Sequence, residues 1–136
     1  MENVKLPLGG NFAVGSIGQI AVNVKELGRA VGFYRDILRL PFLFATGTLA
    51  FFDAGGVRLM LDKTDRPEFD HPSSILYFTV PDIRTGYQAL VERGVRFVAA
   101  PSMIAKLDQR QVWMAFFRDS EENIMALMAE VTTDSY

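Results

Sequence analysis

The chain has 136 residues and a formal net charge of −2, which suits one domain with a real core but not two independent domains. Hydrophobic residues make up 49% and charged residues 22%, as in globular proteins, and the slightly acidic balance argues against nucleic acid as a partner. The chain has no cysteine and a single histidine, His71. Disulfides, thiolate metal sites, cysteine nucleophiles and a two-histidine metal site within one chain are therefore excluded.

Apolar runs are short throughout the sequence. None is long enough to span a bilayer, and the first residues do not have the form of a signal peptide. We therefore expect a cytoplasmic protein that has no membrane partner.

The first half of the chain is predicted to form one strand, one helix and then three strands. Residues 1–15 are rich in glycine and have little periodicity, so we expect an irregular lead-in. Alternating apolar residues predict a strand over 17–24, and apolar residues at helical spacing predict a helix over 25–38. Short strands follow over 40–44, 48–53 and 57–62. The pair Gly55–Gly56 predicts a tight hairpin between the last two of them.

The second half repeats this order after a polar segment, 63–73, which reads as a linker with His71 on its surface. A strand is predicted over 75–80, followed by a helix that Asp82 caps and Gly94 terminates. The predicted stripe of that helix is Ile83, Tyr87, Leu90 and Val91. The remaining predicted elements are strands over 95–99, 112–118 and 124–128, with a loop or bent strand over 101–110.

The two halves are also similar letter by letter. AFFDAGGVRLML (50–61) parallels AFFRDSEENIMAL (115–127), which has one extra residue in its turn, and VKEL (24–27) parallels VPDI (80–83). Repeats of about 55 residues are too long for solenoid units and indicate a duplicated half-domain. The pair Glu121–Glu122 in the longer turn is expected to be solvated.

The repeat predicts an α+β fold of two tandem βαβββ modules in a single domain, 1–136. Module one covers about 17–62, residues 63–73 link the modules, and module two covers about 74–130. One helix for about four strands covers one face of each sheet and leaves the other face free, so the two sheets can enclose a cavity.

Four segments, in this order and spacing, carry a family resemblance: IGQIAVNVKELGRAVGFYRDILRLPF, LAFFDAGGVRLML, ILYFTVPDI and FFRDSEENIMAL. Together they resemble the vicinal oxygen chelate superfamily, which includes glyoxalase I, bleomycin-resistance proteins, fosfomycin-resistance enzymes and extradiol dioxygenases. The resemblance covers residues 17–130. It implies open, U-shaped mixed sheets around a ligand site, and it implies a homodimer.

In metal-dependent members of that superfamily, metal ligands come from the first and last strands of each module. The resemblance places those four positions at Gln19, Met60, Ile75 and Ala126, the last following a turn that is here 119–123. None of the four is histidine, aspartate or glutamate, the ligands that borderline and hard divalent ions need. We therefore expect no metal at these positions and no cofactor.

Strand alternation from these four positions predicts a mostly apolar, aromatic ligand surface with a few polar groups and no carboxylate. The predicted ligand-binding residues are Gln19, Phe51, Arg58, Met60, Ile75, Tyr77, Met114, Phe116 and Ala126. Arg58 is the one positive charge among them, and it suits a ligand with an anionic or carbonyl group.

Each of these residues also has a structural interpretation. Phe51 and Phe116 would then fill the core, and Tyr77 would be a hydrogen-bonded core tyrosine. Arg58 would be solvated at a strand end, and Gln19 would be the vestige of a lost metal ligand.

Three functions stay open from the sequence, and whether the chain is an enzyme is undecided. The first is a metal-free protein that binds a small organic molecule, as the bleomycin-resistance group does. The second is a metal-dependent lyase, isomerase or dioxygenase with a different ligand set, for which His71 from each subunit of a dimer is one candidate. The third is a structural or interaction role with a filled cavity.

Overall fold

The computed structural model describes residues 11–132, so most of the predicted lead-in lies outside the described residues. Module one consists of β1 (Gln19–Asn23), α1 (Leu27–Gly32), β2 (Phe42–Ala45), β3 (Leu49–Ala54) and β4 (Val57–Asp62). Module two consists of β5 (Tyr77–Thr79), α2 (Ile83–Glu92), β6 (Phe97–Leu107), β7 (Arg110–Arg118) and β8 (Ile124–Thr132). Sheet 1 has the order β1-β4-β3-β2 and sheet 2 the order β5-β8-β7-β6, and in each the first pair is parallel. The predicted α+β fold of two βαβββ modules with open mixed sheets is confirmed.

Local sequence signals fix several of these elements. Gly55 and Gly56 take positive φ values of 70° and 96°, which a tight β3–β4 hairpin requires and glycine adopts without strain. Asp82 caps α2 by accepting a hydrogen bond from the Arg84 backbone N–H at 3.2 Å. Gly94 follows the helix with a φ of 89°.

The first helix is shorter than predicted. It ends at Gly32, and a π-helical turn over Phe33–Ile37 replaces the rest of the predicted 25–38 helix. Gly28 and Gly32 lower the helix propensity of this segment, and the wider turn buries the consecutive residues Phe33 and Tyr34.

Module two settles one open alternative and differs from the prediction in two places. The segment predicted as a loop or bent strand is the bent strand, because β6 continues past Pro101 with register shifts. Val91 is 42% exposed, so its place in the buried stripe of α2 was wrong. Ile75 precedes β5, which begins only at Tyr77.

One hydrophobic cluster joins the two sheets through the helical segment of module one. The Tyr34 ring lies 6.2 Å from that of Phe52 in sheet 1, and the Phe33 ring lies 6.4 Å from that of Phe117 in sheet 2. Phe52 and Phe117 are both completely buried. The faces that share this cluster are the core faces. We call the opposite face of each sheet its open face.

The β7–β8 turn closes one contact between the modules, which we call the sealed junction. Asp119 is 1% exposed and accepts four hydrogen bonds: from the Tyr34 hydroxyl at 2.6 Å, from the backbone N–H groups of Glu121 and Asn123, and from the Asn123 amide. Burial and the adjacent Asp119 carboxylate raise the pKa of Tyr34 well above its usual value. The hydroxyl therefore stays a donor to that carboxylate.

Glu121 completes the sealed junction and corrects the expectation of a solvated turn. It is 6% exposed, and its carboxylate accepts from the backbone N–H groups of Lys25 and Glu26 at 2.7 and 3.0 Å and from the Arg29 guanidinium at 2.7 Å. These groups lie at the start of α1, so a turn of module two caps the helix of module one. Glu122 is exposed, as predicted.

The linker lies along the end of β1. The Asn23 backbone N–H donates to the Ser73 hydroxyl at 3.1 Å, and the Asn23 side chain donates to the backbone carbonyl of His71. His71 itself is exposed, as predicted. Across residues 11–132, no helix has the length and apolar character that a bilayer crossing requires.

Candidate functional site

The open face of sheet 1 brings four of the nine predicted residues into contact. Gln19 pairs with Arg58 across β1 and β4, and Phe51 pairs with Met60 across β3 and β4. The Arg58 Nε donates to the Gln19 Oε1 at 2.8 Å, and the Gln19 Nε2 contacts the Met60 Sδ at 3.6 Å. Gln19 therefore orients the guanidinium, which is exposed but lies over the sheet.

Aromatic rings form the floor beside that guanidinium. The Arg58 Cζ lies 5.5 Å from the centre of the Phe51 ring. Phe44 stacks on Phe51 with ring centres 4.4 Å apart and planes inclined by 23°, and Phe44 itself is 49% exposed. A cation next to an exposed aromatic face is suited to an aromatic ligand that carries a negative charge.

Two carboxylates also lie on this face, so the expectation of none was wrong. Asp62 is two residues beyond Met60 and Asp53 two beyond Phe51, and strand alternation puts each pair on one side. Asp53 accepts from the Gly56 backbone N–H at 3.0 Å, which fixes it in the hairpin turn. Neither forms an ion pair with Arg58 among residues 11–132.

The open face of sheet 2 holds four more predicted residues. Tyr77, Ala126 and Phe116 form one cross-strand row, and Met114 pairs with Met128 in the next. The Tyr77 and Phe116 rings meet edge to face at 5.9 Å. Tyr77 is 44% exposed, so it is not a buried core tyrosine.

The ninth residue, Ile75, does not belong to either row. It precedes β5 and is 41% exposed. The other eight residues therefore form two groups of four, one on each open face. Phe51 and Ala126 are buried, yet neither belongs to the cluster that joins the core faces.

Equivalent rows of the two open faces carry side chains of opposite size. Across sheet 1 the row runs through Ala21, Met60, Phe51 and Phe44, and across sheet 2 it runs through Tyr77, Ala126, Phe116 and Ala99. At three of the four positions, one row therefore has a small residue where the equivalent position of the other row has a large one. Two such rows that face each other in the same strand order pair a small side chain with a large one at those three positions.

The four positions where the resemblance implies a metal do not supply a suitable donor set. The Gln19 amide oxygen already accepts from a guanidinium, which repels a cation, and the Met60 thioether is a soft ligand. Ile75 and Ala126 have no donor atom in their side chains. Within residues 11–132 there is also no group of three or more histidine, cysteine, aspartate or glutamate residues placed to hold a metal ion.

A groove of about 430 Å³ lies elsewhere, between the β3–β4 turn of module one and the β5 and α2 segments of module two. Of the nine predicted residues, only Tyr77 lines it. Sequence alternation gave no sign of this groove, since it arises where the two modules meet. The sequence signal for the groove is the difference between the two hairpin turns, AGG at 54–56 and DSEEN at 119–123.

Comparison with known proteins agrees with this architecture. The family described as Glyoxalase/Bleomycin resistance protein/Dioxygenase superfamily matches residues 16–127, so the chain belongs to that superfamily. A glyoxalase/bleomycin resistance protein/dioxygenase from Alicyclobacillus acidocaldarius superposes with a TM-score of 0.67 at 18% identity, over 84% of this chain and 90% of that one. A superfamily member from Sphaerobacter thermophilus gives 0.72 at 18% identity, over 85% and 98%. These structural likenesses concern the fold.

Among curated proteins, the chain is similar to the metallothiol transferase FosB of Staphylococcus haemolyticus. The two are 32% identical over 69 residues, which are 48% of this chain and 50% of the relative. The match thus spans about half the length of the curated relative.

Proposed function

We propose that this protein binds a small organic anion, in particular an aromatic carboxylate, without a metal ion. The observation that carries the proposal is the Arg58 guanidinium, which Gln19 holds over the buried Phe51 ring and beside the exposed Phe44 that stacks on it. The Arg58 Nε donates to an amide oxygen, while the two terminal nitrogens have no ion-pair partner among the described residues. A carboxylate can accept from both of those nitrogens at once.

Titration with benzoate and with its neutral isostere benzamide tests this proposal. Benzoate should raise the melting temperature and benzamide should not, because only the anion forms the charge-assisted pair. Arg58→Met should keep the fold and weaken benzoate binding by roughly 1.5–3 kcal/mol.

The chain offers a matched control for this variant. Arg66 also places its Cζ over a phenylalanine ring, that of Phe69 at 4.9 Å, and it lies in the linker rather than on a strand of sheet 1. Arg66→Met should leave benzoate binding unchanged. Equal affinity for benzoate and benzamide, or full affinity in Arg58→Met, would sink the proposal.

We further propose that a homodimer completes the site, with the open face of sheet 1 of one copy against that of sheet 2 of the other. Both core faces share one cluster, which leaves the open faces directed away from it. The complementary rows of side chains on the two faces support the same pairing. Exposed apolar residues on the outer strands β2 and β6 suit an interface between copies: Phe42, Leu43, Phe44, Val98, Met103, Ile104 and Leu107.

Mixing two variants tests the shared site. Arg58→Met damages the sheet 1 face and Tyr77→Ala the sheet 2 face, so each homodimer should lose benzoate binding. After both are unfolded and refolded together, mixed dimers contain one intact site, and about a quarter of the sites should return by random pairing. No recovery, or a monomer by light scattering at high concentration, would contradict the shared site.

A second candidate is a metal-dependent transferase, lyase, isomerase or dioxygenase of the same superfamily. The specific observation in its favour is the similarity to FosB, whose name makes it a metallothiol transferase. Metal analysis of untagged protein after incubation with manganese or zinc separates the candidates: stoichiometric metal that is lost on Gln19→Ala would favour the enzyme. A cytoplasmic location stays a prediction.

A further inference from the structure

The groove beside α2 occupies the place that the sealed junction occupies in the other module. In the internal repeat, Phe33 corresponds to Ala89 and Tyr34 to Leu90. In the two hairpin turns, Asp119 corresponds to Ala54 and Ser120 to Gly55. The groove thus lacks the ring of Phe33, the hydroxyl of Tyr34 and the carboxylate of Asp119, which together close the sealed junction.

The resulting space has the size and character of a small-molecule site. Its volume, about 430 Å³, falls within the range of ligand pockets. Leu38, Leu40, Leu90 and Leu127 contribute apolar walls, and Gly86 lets α2 pack close to the sheet, with Leu127 only 3.3 Å from where a Cβ would lie.

Arg93 gives the groove a polar anchor. Among the described residues that line it, Arg93 is the only charged one. One of its nitrogens donates to the Ile37 carbonyl at 2.7 Å, and it forms no ion pair within residues 11–132. A guanidinium has five N–H donors, so most of its capacity is available to a ligand oxygen.

We propose that this groove is a second binding site, and that it takes a small monocarboxylic acid with an aliphatic tail. The tail would lie against the leucine walls and the carboxylate would accept from Arg93. The groove shares Tyr77 with the proposed benzoate site but none of the residues around Arg58, so either proposal can fail without the other.

Octanoate is the probe for this site, and methyl NMR is the readout. Octanoate should shift the methyl signals of Leu90, Ala89 and Leu127 saturably and leave those of Met60 and Met114 unchanged. 1-Octanol, which has the same tail without the charge, should bind about tenfold more weakly. The Arg66→Met variant, whose substitution lies outside the groove lining, should bind octanoate as the unchanged protein does.

Two substitutions on α2 form a matched pair for the same experiment. Ala89→Phe puts back the ring that Phe33 supplies in module one and should abolish octanoate binding. Gln88→Phe adds the same ring on the exposed side of the helix and should not.

Several results would overturn the proposal. Shifts confined to Met60 and Met114 would place octanoate on the open faces. Equal affinity for octanoate and 1-octanol would remove the role of Arg93, and binding that survives in Ala89→Phe would place octanoate elsewhere. Groove signals that shift with protein concentration alone would show that a second copy covers the groove.

Discussion

At the sealed junction the β7–β8 turn of module two lies against α1, whereas at the groove the β3–β4 turn of module one lies beside α2. The first turn carries Asp119 and Glu121, which are nearly inaccessible and fully hydrogen-bonded. The second has Ala54 at the place of Asp119, and Gly55 and Gly56 at the places of Ser120 and Glu121. The two turns therefore differ by one inserted residue and two carboxylates, and this difference accompanies a sealed junction in one case and an open groove in the other. A duplicated fold can therefore keep its backbone repeat while its two junctions take different roles.

Among the changes considered, the removal of Asp119 should cause the largest loss of stability. Asp119→Ala leaves the Tyr34 hydroxyl and three N–H donors without their acceptor in a buried site, which should lower the free energy of unfolding by about 3–5 kcal/mol. Urea denaturation measures the loss. The control is Asp53→Ala in the other hairpin, where an exposed carboxylate accepts one backbone bond and about 1 kcal/mol or less is expected. Similar losses in the two variants would mean that the junctions are equivalent.

The second-largest effect is expected in acid, where protonation of Glu121 should weaken the sealed junction. Burial alone would raise the pKa of Glu121, but the Arg29 guanidinium and the N–H groups of Glu26 and Lys25 outweigh it and lower the pKa from 4.5 to about 2. Because the carboxylate binds a proton more readily in the unfolded chain, its contribution is complete above pH 4.5 and is lost as pH falls towards 2. We expect a loss of about 2–3 kcal/mol across this window. Glu121→Gln should flatten that part of the profile, and an unchanged profile would contradict this assignment.

Arg29 should matter less, since its side chain is 55% exposed. Arg29→Met leaves Glu121 with its backbone donors, so we expect the loss of stability at neutral pH to be smaller than the loss in acid. The acid transition should also move to higher pH, because the guanidinium no longer holds the pKa of Glu121 down. Thr85 is the equivalent residue of α2, and Thr85→Ala should cost about 0.5 kcal/mol. A larger loss in Thr85→Ala than in Arg29→Met would mean that the groove side contributes more to stability than the sealed junction does.

The smallest effect is expected on the groove side. Ala89→Phe should fit its ring into existing space and raise the free energy of unfolding by up to about 1 kcal/mol. Thermal denaturation of this variant checks the direction. A destabilisation beyond about 1 kcal/mol would show that the groove is too tight for a ring.

Much of the fold could be predicted from local patterns. Alternation and the Gly55–Gly56 turn were enough to pair Phe51 with Met60, and the repeat placed Phe116 at the matching position in sheet 2. These features depend on neighbours along the chain or across one hairpin. Ile75 was placed less well, because strand ends depend on pairing partners that the local pattern does not contain.

The candidate site depends on contacts that alternation does not encode. Alternation assigns a side chain to one face of its own sheet, but the position of one sheet relative to the other follows from the packing of Phe33 and Tyr34. For the same reason Glu121 was expected in solvent: a turn glutamate is buried only when another module supplies its donors. The Arg58–Gln19 pair lies between these cases, since both residues were placed on the ligand surface but their direct hydrogen bond was not foreseen.

Calorimetric titration of benzoate into chelator-treated protein, with and without added manganese or zinc, tests the central claim most directly. We expect the same affinity in both conditions, because in the proposed site the Arg58 guanidinium supplies the positive charge that would bind the carboxylate. Benzoate binding that occurs only after metal is added would contradict it and would favour a metal-dependent enzyme.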